Sequence, residues 1–277
     1  MLEVIRMNDK RFQDKEWLQE QYDKGKKGIE IAKLCGVSDS TVAYWAKKLD
    51  VNRHNLKSRA SRKKYLNEHY FDVIDTEEKA YWLGFIMADG CITQTDKKYP
   101  ANRFHFCLKK SDGEFEHLMK FLDAIEGQDY EVKEKKNKNK TLDFETIIYE
   151  LRINSKLFVQ SLVSNGVVMN KTGKELIPHT IPADLTRHFV RGFFDGDGSI
   201  TKSKAVRLGS SSRLILEQIN ECFLDNDRFK IYTDLRYKIP FYYFDSQGRD
   251  RNQKFLDYLY KGATIYLERK YQRYLEY

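Results

Sequence analysis

The chain has 277 residues, with 49 lysines and arginines against 41 aspartates and glutamates, a formal net charge of +8 and a pI near 9.0. That length holds two or three domains, the basic balance favours polyanionic partners, and 14% aromatic residues exclude a disordered chain. The N-terminal MLEVIRMNDKRF lacks the apolar stretch of a signal segment, no 18-residue apolar run occurs, and Cys35, Cys91, Cys107 and Cys222 form no CxxC pair. A reduced intracellular protein without a membrane span or zinc ribbon is expected.

Residues 12–23 (FQDKEWLQEQYD) read as a helix with Phe12, Trp17 and Leu18 inward. The following KKGIEIAKLCGVSDSTVAYWAKKLDV places Ile31, Ala32, Cys35, Val37, Val42 and Trp45 as the core of two short helices. Gly36 supplies the turn and Ser38 the N-cap. The pattern, over about residues 28–49, resembles the helix-turn-helix of DNA-binding regulators. In that arrangement the second helix exposes Ser40, Thr41, Tyr44 and Lys47 to the major groove. The stretch VNRHNLKSRASRKKY then carries six cations and no acid. It reads as a basic linker, and Arg53 and Arg59 are candidates for phosphate or minor-groove contacts.

Thr76, followed by Glu77 and Glu78, is a candidate N-cap for a helix ending near Asp89. CITQ begins a strand. RFHFCLKK alternates, with Phe104, Phe106 and Leu108 on one face and Arg103, His105, Cys107 and Lys109 on the other, so a half-buried strand with a basic second face is expected. Residues 112–126 have helical periodicity, KEKKNKNK reads as a hairpin tip, FETIIYELRINS as a strand carrying Arg152, and residues 155–169 as a helix. Pro178 and Pro182 mark a join. Beyond it KAVRLGSS, with Arg207, and KIYTDLRYK, with Arg236 and Lys238, read as strands flanking the helix LILEQINECFL. FYYFDSQGRDRNQKF returns, and ATIYLERKYQRYL closes the chain as a helix.

These elements define an α+β chain: two pseudo-symmetric αββαββα halves with antiparallel saddle-like sheets, plus a small all-α helix-turn-helix domain. The expected boundaries are 1–52 for that domain, 53–75 for the linker and 76–277 for the rest, with halves at about 76–177 and 183–277.

One stretch occurs twice, as YWLGFIMADGCIT and HFVRGFFDGDGSIT. Gly84 matches Gly192, Ala88 matches Gly196, Asp89 matches Asp197 and Gly90 matches Gly198. On a helix, Gly84 and Ala88 share a face, as do Gly192 and Gly196. Glycine inside a helix costs ~1 kcal/mol relative to alanine, and close packing of the two helix backbones justifies that cost. Each helix then ends in Asp-Gly, the glycine suiting a left-handed position past the helix end. A carboxylate there opposes the helix macrodipole, and two brought together repel. A divalent cation between them removes both penalties, and oxygen ligands suit Mg²⁺, or Mn²⁺ in its place.

The two stretches resemble the LAGLIDADG motif of homing endonucleases over about residues 76–277, including the closing LYKGATIYLERKYQRY. Met87 departs from the motif, which has an aspartate there; Asp195 fills that place in the second copy. The resemblance implies a site-specific double-stranded DNA endonuclease with Asp89 and Asp197 as catalytic and metal-binding residues. Ala88 and Gly196 stand beside them in the metal site. It also implies a lysine near the metals, for which Lys156 and Lys254 are the candidates. A monomeric pseudo-dimer on a long asymmetric DNA site is implied, with Arg103, His105, Lys109, Arg152, Arg207, Arg236 and Lys238 facing DNA, in the cytoplasm or nucleoid of a bacterial or phage-infected cell. Ends without splicing-type residues favour a free-standing or intron-encoded enzyme. Two alternatives stand: a transcriptional regulator on a degenerate LAGLIDADG scaffold, and an RNA-splicing maturase. Retention of both aspartates weighs against the first, and the helix-turn-helix favours duplex DNA over A-form RNA.

Overall fold

The computed structural model describes residues 9–24, 26–51, 64–94, 102–139, 144–223, 228–236 and 238–277. The chain divides into residues 1–63 and 64–277, each with its own apolar core.

In the first unit, the Asp14 carboxylate accepts from the Trp17 amide and starts α1 (Lys15–Asp23). Helix α2 (Gly28–Cys35) stops at Gly36, whose φ of 70° is left-handed. Ser38 then accepts from the Thr41 amide at 3.2 Å to begin α3 (Asp39–Lys48). Phe12, Leu18, Ile31, Ala32, Cys35 and Val42 are buried as expected, with Trp17, Val37 and Trp45 at the margin. Ser40, Tyr44 and Lys47 are exposed on α3 and Thr41 is half-buried. Arg53 and Arg59 lie outside the described residues.

The second unit begins earlier than the basic composition implied. Residues 64–75 were expected as linker, yet Leu66, Tyr70, Phe71 and Ile74 are buried in the larger core. The Asn165 side-chain amide donates to the Phe71 carbonyl at 2.7 Å, fastening this segment. Apolar spacing outweighs the cations that precede it.

Each half then runs αββαββα. The first contains α4 (Glu77–Asp89), β1 (Gly90–Gln94), β2 (Asn102–Lys109), α5 (Glu114–Ala124), β3 (Lys133–Asn139), β4 (Phe144–Ile153) and α6 (Lys156–Ser164). The second contains α7 (Thr186–Asp197), β5 (Ser199–Ile200), β6 (Val206–Ser210), α8 (Arg213–Phe223), β7 (Tyr232–Asp234), β8 (Phe241–Ser246) and α9 (Arg249–Tyr260), with α10 (Glu268–Leu275) closing the chain. Both sheets are antiparallel and repeat one topology, β1-β2-β4-β3 and β5-β6-β8-β7. Phe104 and Phe106 turn inward from β2 onto helix side chains, with the Phe85 ring 5.5 Å from Phe106 and the Phe158 ring 5.8 Å from Phe104. On the other face of β2, Arg103 and His105 are half-buried and Cys107 and Lys109 are exposed.

Three elements differ from expectation. KEKKNKN is no hairpin tip but β3, paired along β4 with Lys135 opposite Ile148; lysines on an edge strand deter pairing with another chain. In KIYTDLRYK only Tyr232–Asp234 is strand, and Arg236 and Lys238 follow it in the connection to β8. Helix α9 was not anticipated, because its first turns are polar; Phe255, Leu256, Leu259 and Tyr260 then form its buried stripe. Lys254 accordingly sits inside a helix rather than ahead of one.

Candidate active site at the paired helix ends

Helices α4 and α7 pack backbone to backbone. A Cβ on Gly84 would lie 2.0 Å from the Phe189 carbonyl oxygen, and one on Gly192 would lie 1.9 Å from that of Tyr81. One turn on, a Cβ on Gly196 would come within 2.3 Å of the Ala88 methyl. The motif glycines are required by space, and the contact is reciprocal, as a pseudo-twofold demands.

Asp89 and Asp197 are the last residues of α4 and α7. The glycines after them do not take the left-handed conformation expected. Gly90 has φ −73° and Gly198 φ −85°, both extended, regions open to any residue. Their role is again clearance: a Cβ on Gly90 would meet the Ile86 carbonyl oxygen at 2.7 Å, and one on Gly198 the Phe194 ring at 2.3 Å.

The two carboxylates are brought together. The Asp89 Oδ2 lies 3.1 Å from where a Gly196 Cβ would be. Burial raises the Asp89 pKa above the ordinary carboxylate value, against the pull of Lys270, Lys171 and Arg269. Asp197 keeps an open side to solvent, yet crowding by protein and then the Asp89 charge push it up to about 7. Beside Asp89 lies a cavity of about 250 Å³, lined by Cys107, Lys109, Glu114, Gly196 and Arg269 among others.

The cations that face these helix ends are not the ones expected from sequence. Lys171 donates to the Met87 and Ala88 carbonyls at 2.7 and 2.6 Å. Lys270, fully buried, donates to the Phe194 and Asp195 carbonyls at 2.7 and 2.6 Å and to Gly196 at 3.4 Å. Each ammonium satisfies carbonyls left open at a helix C-terminus and opposes the negative end of its macrodipole. Burial lowers the Lys270 pKa to about 8 even though Asp195 favours its charge. Lys156 is exposed in the first turn of α6 and Lys254 is exposed within α9. The shared position of Lys171 and Lys270, each beyond the last αββαββα helix of its half, was the available signal.

Asp195 is buried and accepts from the Tyr260 hydroxyl at 2.6 Å, the Tyr81 hydroxyl at 2.8 Å and the Leu267 amide at 2.7 Å. It joins both halves to the closing segment. Ala88 and Gly196, expected beside the metal, offer carbonyls that already accept from Lys171 and Lys270. On the open face of the first sheet, Arg103 and His105 are half-buried and Lys109 and Arg152 exposed. On that of the second, Arg207 is exposed opposite Asp245.

The donor set fits a hard divalent cation: two crowded carboxylates whose protonation equilibria are raised, at a helix-end pair open to solvent on one side. Such ions are held by one or two carboxylates, with water and substrate oxygens completing the shell.

Residues 184–259 match the model of the LAGLIDADG-like domain. The match lies in the second half of the chain, from just before α7 through most of α9. The replication factor C small subunit of Methanocaldococcus jannaschii is 32% identical over 166 residues, which make up 59% of this chain and 8% of that protein. The match thus spans less than a tenth of that relative's length. Among solved structures, mesophilic variants of the homing endonuclease I-DmoI are similar at 22% identity and TM-score 0.42, over 70% of this chain and 96% of theirs. The homing endonuclease I-WcaI bound to its DNA recognition sequence gives 16% and 0.46, over 72% and 87%. Full-length DUF199/WhiA from Thermatoga maritima gives 19% and 0.41, over 76% and 64%. Likeness at this level carries no site residue over to this chain.

Proposed function

We propose that the protein is a site-specific, metal-dependent DNA endonuclease that acts as a monomer, with Asp89 and Asp197 holding Mg²⁺ or Mn²⁺. The observation that carries this reading is the meeting of two aspartates at the ends of glycine-packed helices, where each destabilises the other. Such placement is unfavourable for folding alone and suits a cation-binding site.

The bound metal would neutralise charge on the phosphoryl oxygens, lower the pKa of an attacking water and assist the departing 3′ oxygen. The chain's own residues set the geometry. Gly84, Gly192 and Gly196 allow the helix ends to approach, so both carboxylates address one site. Lys171 and Lys270 hold the helix ends and place positive charge behind the carboxylates. Water attacks phosphorus, the bond to the 3′ oxygen breaks, and that oxygen takes up a proton, leaving a phosphate on the other fragment.

The open sheet faces would receive the duplex through Arg103, His105, Lys109, Arg152 and Arg207. Arg236 and Lys238 would contact it from the β7–β8 connection, and residues 1–52 would read the major groove through Ser40, Thr41, Tyr44 and Lys47. Incubating the protein with a randomised duplex library and Mg²⁺, then sequencing cut ends, should return one long asymmetric site. Cutting that survives chelation, or persists in an Asp89→Asn/Asp197→Asn double variant, would overturn the assignment.

A further inference from the structure

The middle helices of the two halves, α5 and α8, begin on residues of opposite charge. In α5 the first residue is Glu114 and in α8 it is Arg213. Arg213 is exposed and pairs with Glu217 one turn on, at 2.7 Å. Glu114 is only 5% exposed. Its Oε1 accepts from the Arg269 guanidinium at 2.8 Å, and its Oε2 is buried with no hydrogen-bond partner. Helix α5 does not need that burial for its macrodipole, since Glu116 in the same turn is exposed. A buried carboxylate with one oxygen unpartnered costs folding stability, which points to a use outside folding.

Glu114 lines the cavity of about 250 Å³ beside Asp89, together with Lys109, Ser111 and Arg269. That volume has room for several waters. The Glu114 charge is felt by Asp89, after burial and the cations Lys270, Lys171 and Arg269. Among the described residues, no three acidic, histidine or cysteine side chains converge closely enough to hold one ion, so Glu114 is no third ligand to an ion held by both aspartates. Beside Asp197 the corresponding acid is Glu175, from the connection between the halves, which accepts from the Gly173 amide at 2.8 Å. No oxygen of Glu175 is both buried and unpartnered.

We propose that Glu114 is a positioning residue: its free oxygen accepts a hydrogen bond from water in this cavity that hydrates the cation beside Asp89. The strand cut at that end depends on Glu114, and the strand cut beside Asp197 does not. This rests on the endonuclease reading above. Arg269 clamps one carboxylate oxygen and so aims the other, as outer partners of a metal site fix the orientation of what they contact.

The test uses the full-length protein and a duplex bearing the cleaved site, with each strand labelled separately. Glu114→Gln keeps the size of the side chain and an acceptor for Arg269, so a role in packing alone survives it. It should slow one strand by about 10–100-fold, the usual cost of losing an outer partner, and leave the other near the parent rate, so that nicked duplex accumulates. Without DNA, its Mn²⁺ uptake should weaken about tenfold, read from the free ion by electron paramagnetic resonance. The metal-free melting temperature should stay level or rise. Arg269→Gln, at an exposed position, frees Glu114 from its clamp and should slow the same strand, which decides the matter if Glu114→Gln does not fold. Arg213→Gln should leave both strands at the parent rate. Equal slowing of both strands by Glu114→Gln, or Mn²⁺ uptake as tight as the parent's, would defeat the assignment while leaving the endonuclease reading intact. A parent protein that took up no Mn²⁺ and cut neither strand would sink both.

Discussion

The ends of α4 and α7 are built to one plan and supported differently. Each carries a motif aspartate, a clearance glycine after it and a lysine on its last carbonyls. At the first, the residue two before the aspartate is Met87, and Lys171 reaches in from a partly exposed loop. At the second the same place holds Asp195, which accepts from two tyrosines and a backbone amide, and Lys270 is fully buried on α10. The two copies keep the geometry of the helix ends alike, while the scaffolding around them differs.

The largest expected effect falls where the halves are alike. Asp89→Asn or Asp197→Asn should lower cleavage by ~10³-fold, a loss of several kcal/mol of transition-state stabilisation, while gel-shift affinity holds. Metal-free melting temperature should stay level or rise, because a carboxylate whose pKa is raised in the folded state opposes folding once ionised. If the two strands depend unequally on the two aspartates, one variant will nick. Parent-rate cutting of both strands by either variant would refute the site.

Next comes the shared helix contact. Gly84→Ala and Gly192→Ala each direct a methyl at a carbonyl oxygen about 2 Å away, so each should destabilise by about 3 kcal/mol despite alanine's better helix propensity. Chemical denaturation of both variants reads this. A stabilised variant would mean that the helices are not in such close contact.

The glycine contact was legible in the sequence because glycine inside a helix is costly, and two copies at matched spacing require one shared cause. The inward faces of β2 were legible too, since Phe104, Phe106 and Leu108 keep strict alternation. Other features had no such signal. Extended Gly90 and Gly198 avoid clashes with Phe194, Phe104 and their own helices, which sequence cannot distinguish from a left-handed turn. Lys171 and Lys270 act from positions without periodicity. The macrodipole argument demanded a cation at each helix end; it did not reveal that a side chain supplies one before any metal does.

Asp195 offers a direct way to sharpen the comparison. Asp195→Met gives α7 the residue of α4 and leaves the Tyr260 hydroxyl and Leu267 amide without their acceptor, while Tyr81 retains His117. The expected loss is about 3 kcal/mol, from buried donors left unpaired. Met87→Leu, at the same place in the first half, should cost under about 1.5 kcal/mol as a volume-conserving swap. Equal losses would show that the second end is no more dependent on polar contacts than the first.

The smallest effect concerns a titrating group that only the first half carries. His117 is the fourth residue of α5, and Leu216 is the fourth of α8. His117 is buried, 3.0 Å from the Tyr81 hydroxyl and packed against the Trp82 and Phe85 rings. Burial, then the charges of Lys120, Arg269 and Lys270, push its pKa down to about 3. The unfolded chain binds a proton near the ordinary value of about 6.5, so it takes up protons that the folded state refuses. The stability from a neutral His117 is therefore complete above that pH and is lost as pH falls towards 3. Between pH 7 and pH 5 the loss should be about 2 kcal/mol. His188, pushed down to about 4 chiefly by burial, acts in the same direction, so the informative quantity is a difference between proteins. In His117→Leu, Asp195 still accepts from Tyr81, and denaturation midpoints should fall less steeply from pH 7 to pH 5 than in the parent. Parallel pH profiles would show that this histidine is protonated as easily in the folded chain as in the unfolded one.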